Sequence, residues 1–204
     1  FGDLKFMEGV LADIRQSNER GQLFAHGTAY IGDHYRLKRV PVIKKQAISA
    51  YDPRVIEVTG ISMMLTAQGA DHTTGNLFNV ETKGKSTEEL TKSSMEVQAL
   101  CAAADSLGLC VFGRSVTNIN LDLIITALND ALGTELDDDF YVRLGTETLV
   151  LESQFNAAAG FTEEDDKLPD FFYDEPLAPM NKSARHHSAE VNQVRRDWIA
   201  EHAI

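Results

Sequence analysis

Asp105-Ser-Leu-Gly-Leu-Cys110 is the stretch of this chain whose residue types and spacing best suit chemistry. It closes a long helical pattern, and Gly108 permits a tight backbone turn there. A carboxylate at Asp105 can accept hydrogen bonds from the N–H groups of a heterocycle. A cysteine behind that turn can face a cofactor, whereas one inside an apolar helix packs as a small hydrophobe. Both readings are open for Cys110. Cys101 sits among Leu100, Ala102 and Ala103 and reads as core. An iron–sulfur cluster takes about four thiolates, and this chain has 2 cysteines in total. If Cys110 is a ligand, its co-ligands lie outside the chain.

Gly69-Ala-Asp-His72-Thr-Thr-Gly75 is the second cluster. Small residues let a helix end approach a ligand closely, and His72 can donate, accept or transfer a proton near neutral pH. The alternative is a polar loop whose histidine caps a helix C-terminus. His186-His187 reads as solvated surface. The chain contains no Gly-rich phosphate loop, Gly-x-Ser-x-Gly turn or His-Glu-x-x-His helix, which argues against kinases, serine hydrolases and zinc peptidases.

These residues must be positioned by helices. Apolar residues recur at helical spacing from Leu4 to Arg20, with Gly21 as the stop, and a second helix is expected from Gln22 to Tyr35. Val40-Pro-Val-Ile-Lys44 reads as an extended linker. Asp52 and Pro53 are expected to start a helix that runs to Gln68. Further helices are expected from Thr87 to Ala104, without a full capping box, and from Ile119 to Leu132, closed by Gly133. A longer one begins at Asp137–Asp139, with Phe140, Leu144, Leu151 and Phe155 sharing a face, and Gly160 ends it. An irregular Pro169–Pro179 stretch precedes a last helix over Ala189–His202. Few segments alternate like strands, so the expected fold class is mainly α.

At 204 residues the chain can bury a core of its own, with 43% hydrophobic and 25% charged residues. A net charge of −12 argues against a nucleic-acid partner. No apolar run reaches membrane-spanning length. Two cysteines build no disulfide framework, so a reducing, cytoplasmic setting is expected. The chain opens on Phe1, which is read as a cut from a longer polypeptide.

In this order, several motifs resemble the C-terminal half of the tungsten-dependent aldehyde ferredoxin oxidoreductase family. They are Tyr51-Asp-Pro-Arg54, Gly69-Ala-Asp-His72-Thr, Asp105-Ser-Leu-Gly-Leu-Cys110, Ala127-Leu-Asn129, and a final block. That block runs from Leu151-Glu and Phe155-Asn156 through Gly160-Phe-Thr162 and Asp165-Asp-Lys-Leu-Pro169 to Glu175-Pro-Leu177. The resemblance covers most of residues 1 to 177, read as a helical cofactor-facing region, with 178–204 as a C-terminal extension.

The resemblance implies a tungsten (or molybdenum) bis-pterin and a [4Fe–4S] cluster. Asp105 would contact pterin within the motif that includes Gly108 and Leu109. Cys110 would be the fourth cluster cysteine, and His72 a proton donor or substrate positioner beside the metal. The implied activity is oxidation of aldehydes to carboxylic acids, with ferredoxin or another electron-transfer protein as acceptor and an oligomeric enzyme as the setting. Two alternatives stay open: reduction of an aromatic thioester such as benzoyl-coenzyme A, and a helical docking module without cofactor. The chain lacks the family's Cys-x-x-Cys-x-x-x-Cys segment, its β-rich cofactor domain and its first Asp-x-x-Gly-Leu motif, all of which would precede Phe1. Glu147, Ser153 and Ala158 stand where the family carries arginines.

Overall fold

In a computed structural model, residues 2–75, 77 and 79–202 are described. Ten α-helices and one two-stranded hairpin account for the regular structure of these described residues, so the chain is mainly α as expected. The core is organised around α4 (Glu57–Leu65), in which Val58 through Leu65 are all buried. A helix apolar on every side belongs in the middle of a fold. α5 (Thr87–Ser106) and α10 (Ser188–Glu201) pack against it, and α8 (Phe140–Ala158) packs along α5. Phe172 of α9 (Phe171–Asp174) and Val191 of α10 join the same core cluster. Among the described residues, no single helix is long and apolar enough to cross a membrane.

Local chemistry explains where the elements depart from the expected ones. The expected first helix breaks after α1 (Leu4–Gln16), because Ser17 turns left-handed and Asn18 accepts from Gly21 N at 2.9 Å to cap α2 (Glu19–Ala25). Gly21 is therefore inside a helix. Its missing Cβ would stand 2.0 Å from Asp13 O, so it lets α2 fold closely onto α1. The expected second helix is likewise divided, with α3 (Gly27–His34) restarting after His26.

Val40–Lys44 is no linker. β1 (Val42–Ile43) pairs antiparallel with β2 (Gln46–Ala47) across a Lys44-Lys45 turn in which both residues have positive φ. α4 starts later than expected because Asp52 caps a separate turn, accepting from Arg54 N at 2.9 Å, while Pro53 packs against Gly60. α4 also ends earlier, at Leu65.

α5 does carry a capping box, one residue upstream of the expected start: Ser86 accepts from Glu89 N at 3.2 Å, and Ser86 N donates to the Glu89 carboxylate at 2.8 Å. A short 3-10 turn (Val111–Gly113) and α6 (Arg114–Thr117) lead to α7 (Leu121–Leu132), closed by left-handed Gly133 as expected.

The shared apolar face of α8 is only partly buried. Tyr141, Gly145, Thr146 and Val150 are buried, whereas Leu151 and Phe155 are 56% and 73% exposed. Closest approach to α5 goes to the smallest residue, Gly145, so the facing side is set by shape and not by the largest side chains. The surface reading of His186 is corrected. It is only 4% exposed, while its neighbour His187 is exposed and stacks on Tyr173 at 4.4 Å.

Candidate functional site

The C-terminal end of α5 is a Schellman turn. Gly108, at φ 69°, donates from N to Asp105 O at 3.0 Å, and Leu109 N donates to Ala104 O at 2.8 Å. Leu109 packs into the small cluster of Ala103, Ala104 and Tyr141. The motif thus divides its labour: Gly108 bends the chain, Leu109 pegs it down, and Asp105 and Cys110 are left exposed on either side of the bend. Asp105 belongs to the last helical turn, not to the bend itself. Cys110 precedes the 3-10 turn, with its carbonyl accepting from Gly113 N at 2.8 Å, and its thiol is free. Cys101 is buried within α5, as its apolar neighbours suggest, and burial pushes its thiol up.

Asp105 lines a cavity of about 310 Å³ between α5, α8 and the loop after α4. Asp71 and Glu152 line it too, and no Lys or Arg stands among its described lining residues. Asp71 is 9% exposed and accepts from Thr73 N at 2.7 Å and Thr73 Oγ1 at 2.8 Å. Burial, then the charge of Asp71, raises Asp105 above the usual carboxylate range. Burial, then the charge of Asp105, does the same to Glu152. Carboxylates without a counter-cation make an acceptor-rich wall. Such a wall suits a neutral ligand with several N–H donors and repels phosphate.

His72 is not brought to this cavity. It is half-buried, its ring centroid 5.2 Å from that of Tyr51 at an interplanar angle of 38°. The residues on either side of it, Asp71 and Thr73, do line the cavity. Among the described residues, no group of three or more His, Cys, Asp or Glu could by itself hold a metal ion.

Asp71 and Glu152 gain a place that their sequence positions did not reveal. Both stand inside quoted motifs, but only the packing of α8 on α5 sets Glu152 opposite Asp105. Other motif residues hold the frame. Arg54 is clamped by Asp52 at 2.7 and 2.9 Å and donates to Glu175 O at 2.7 Å. Asn156 ties α8 to Ala67 O at 2.8 Å. Asn129 closes the loop after α7 by accepting from Leu136 N at 2.7 Å. Asp166 is buried between Lys44 and Arg195.

The family described as aldehyde ferredoxin oxidoreductase, domains 2 and 3, matches residues 1–200. The chain is similar to the tungsten-containing aldehyde ferredoxin oxidoreductase of Pyrococcus horikoshii, with 27% identity over 187 residues that cover 87% of this chain and 30% of that protein. It is also 26% identical over 187 residues to the proteins of the same name from Pyrococcus furiosus and Thermococcus kodakarensis, covering 87% of this chain and 31% of each. The chain therefore spans about three-tenths of the length of the curated relatives it matches.

Proposed function

Because this chain belongs to the aldehyde ferredoxin oxidoreductase family, we propose that it is the helical C-terminal part of a tungsten enzyme that oxidises aldehydes to carboxylic acids. The observation that carries this reading is the α5 turn, which exposes an acceptor carboxylate and a free thiol on the two sides of one glycine.

The residues present fit a pterin and a share of a cluster. The wall of Asp71, Asp105 and Glu152 would offer acceptors to the N–H groups of a pterin ring. The open space beside Gly108, where a Cβ would meet nothing within 4 Å, leaves room for a flat ring. Cys110 offers one thiolate of about four, the others coming from the rest of the full-length protein. When bound, the tungsten–pterin centre and its cluster would accept two electrons and pass them on singly to a ferredoxin.

The chain's own residues supply positioning and proton handling. Converting an aldehyde and water to a carboxylic acid releases two protons with the two electrons. His72, half-buried beside Tyr51, takes up one of those protons at an imidazole nitrogen and returns it to solvent. The apolar packing of Leu109 and the cap at Gly108 keep Asp105 and Cys110 at a constant separation through turnover.

Metal analysis of the full-length protein, purified without oxygen, tests the reading together with aldehyde-dependent reduction of ferredoxin. Tungsten with about four irons per chain and aldehyde-dependent electron flow are expected. Absence of both metals would overturn it.

A further inference from the structure

His186 holds an arrangement that the proposed oxidoreductase chemistry does not use. Its Nδ1 lies 2.9 Å from Thr87 Oγ1, and that hydroxyl donates to the Glu190 carboxylate at 2.8 Å. A threonine hydroxyl has one hydrogen, and a carboxylate can only accept. The Thr87 hydrogen is therefore spent on Glu190, and the hydrogen on the Nδ1 side must come from His186. This assigns the neutral imidazole a proton on Nδ1 and a bare lone pair on Nε2. Nε2 is buried without any hydrogen-bond partner. Its nearest acidic neighbour, Glu57 Oε2, stands 3.9 Å away, beyond hydrogen-bond reach.

We propose that His186 is an acid-sensitive latch that fastens the C-terminal segment to α5, through Thr87 and Glu190, only while its ring is neutral. The surroundings explain why a second proton is unwelcome. Both oxygens of Glu57 already take Arg185, at 2.8 and 2.9 Å, so a proton on Nε2 must compete with a guanidinium for one carboxylate. The small recess that His186 shares with Glu57, Arg185, Ile61, Met64 and Leu168 measures about 10 Å³, the lower limit for one water. On the other sides stand Glu190, exposed His187, and Tyr173, whose hydroxyl donates to His186 O at 2.9 Å. Burial and Arg185 push His186 below the ordinary histidine range, against the opposing pull of Glu57 and Glu190. A histidine so lowered favours the fold above about pH 6.5 and withdraws that support as pH falls.

Release of the latch would reach the candidate site. α10 supplies Arg195, Arg196 and Ile199 to a cavity of about 270 Å³. That cavity shares Gln98, Leu149 and Glu152 with the one at Asp105.

Hydrogen–deuterium exchange of the full-length protein tests this, with labelling times rescaled for the intrinsic effect of pH. Protection of residues 188–201 should fall between about pH 7.5 and about pH 5.5, by up to about tenfold. His186→Asn keeps a donor for Thr87 and cannot titrate, so its protection should stay flat. A flat wild-type profile, or the same acid loss in the variant, would overturn the proposal. Should the variant not fold, C2–H exchange of His186 in the unmodified protein decides. A midpoint below about 6.5 supports the latch, and a midpoint at or above it sinks the idea. Neither readout depends on cofactor or turnover, so the latch and the oxidoreductase reading can fail separately.

Discussion

A Cβ on Gly145 would stand 1.8 Å from the carbonyl oxygen of Ala99, so α5 and α8 touch backbone to backbone at this one glycine. The contact sets the distance between the two helices that carry Asp105 and Glu152. Gly145→Ala should force them apart. A loss of about 2 kcal/mol or more is expected, at the scale of overpacked cores, seen as a lowered melting temperature. An unchanged melting temperature would show that the helices part at no cost.

Asp166 is buried between Lys44 of the hairpin turn and Arg195 of α10. Asp166→Asn leaves two cations without their shared carboxylate and should cost about 3–5 kcal/mol in denaturant unfolding. Replacing Lys44 and Asp166 together with Met and Leu should restore much of that stability, because the desolvation of the pair disappears with its charges. A double variant no better than the single one would refute this account.

The two cysteines should differ sharply toward a maleimide. Cys110 is exposed, while Cys101 is buried and its thiol is pushed up. Mass spectrometry of the native protein without cofactor should find label on Cys110 and none on Cys101, which should react only after denaturation. Equal labelling would contradict the α5 packing.

Glu152 and Asp105 predict a pH signature. A carboxyl raised by the fold supports it below the ordinary value near 4 and loses that support as pH climbs through the folded value. Glu152→Gln should therefore raise the melting temperature at about pH 7, with the gain shrinking toward about pH 4. A gain that ignores pH would mean that the fold does not raise the Glu152 carboxyl.

His72→Asn keeps hydrogen bonding and removes the titratable ring. If the full-length protein is the proposed tungsten enzyme, its turnover should fall on the order of a hundredfold or more with tungsten retained. Near-normal turnover at full metal loading would leave the imidazole no part in proton transfer. Lost tungsten would move His72 to cofactor retention instead.

Much of this protein was legible in residue order. Helical periodicity gave the mainly α class and most helix positions, and Gly108 and Gly133 marked their stops, because helix geometry and left-handed caps are local. The Asp105–Cys110 motif announced its bend for the same reason. Even the break at Ser17-Asn18 and the box at Ser86–Glu89 were written in the chain, as caps of ordinary type.

Packing between distant segments was not legible. Gly145 decided the buried face of α8 against the pull of Leu151 and Phe155, because close approach selects for a missing side chain. His186 looked like surface beside His187 and became core, because Thr87, 99 residues away, supplies its partner. Asp71, Asp105 and Glu152 share a cavity only once α8 lies on α5. The raised proton affinity of Asp105 and Glu152 follows from that burial and that proximity, which exist only in the folded chain.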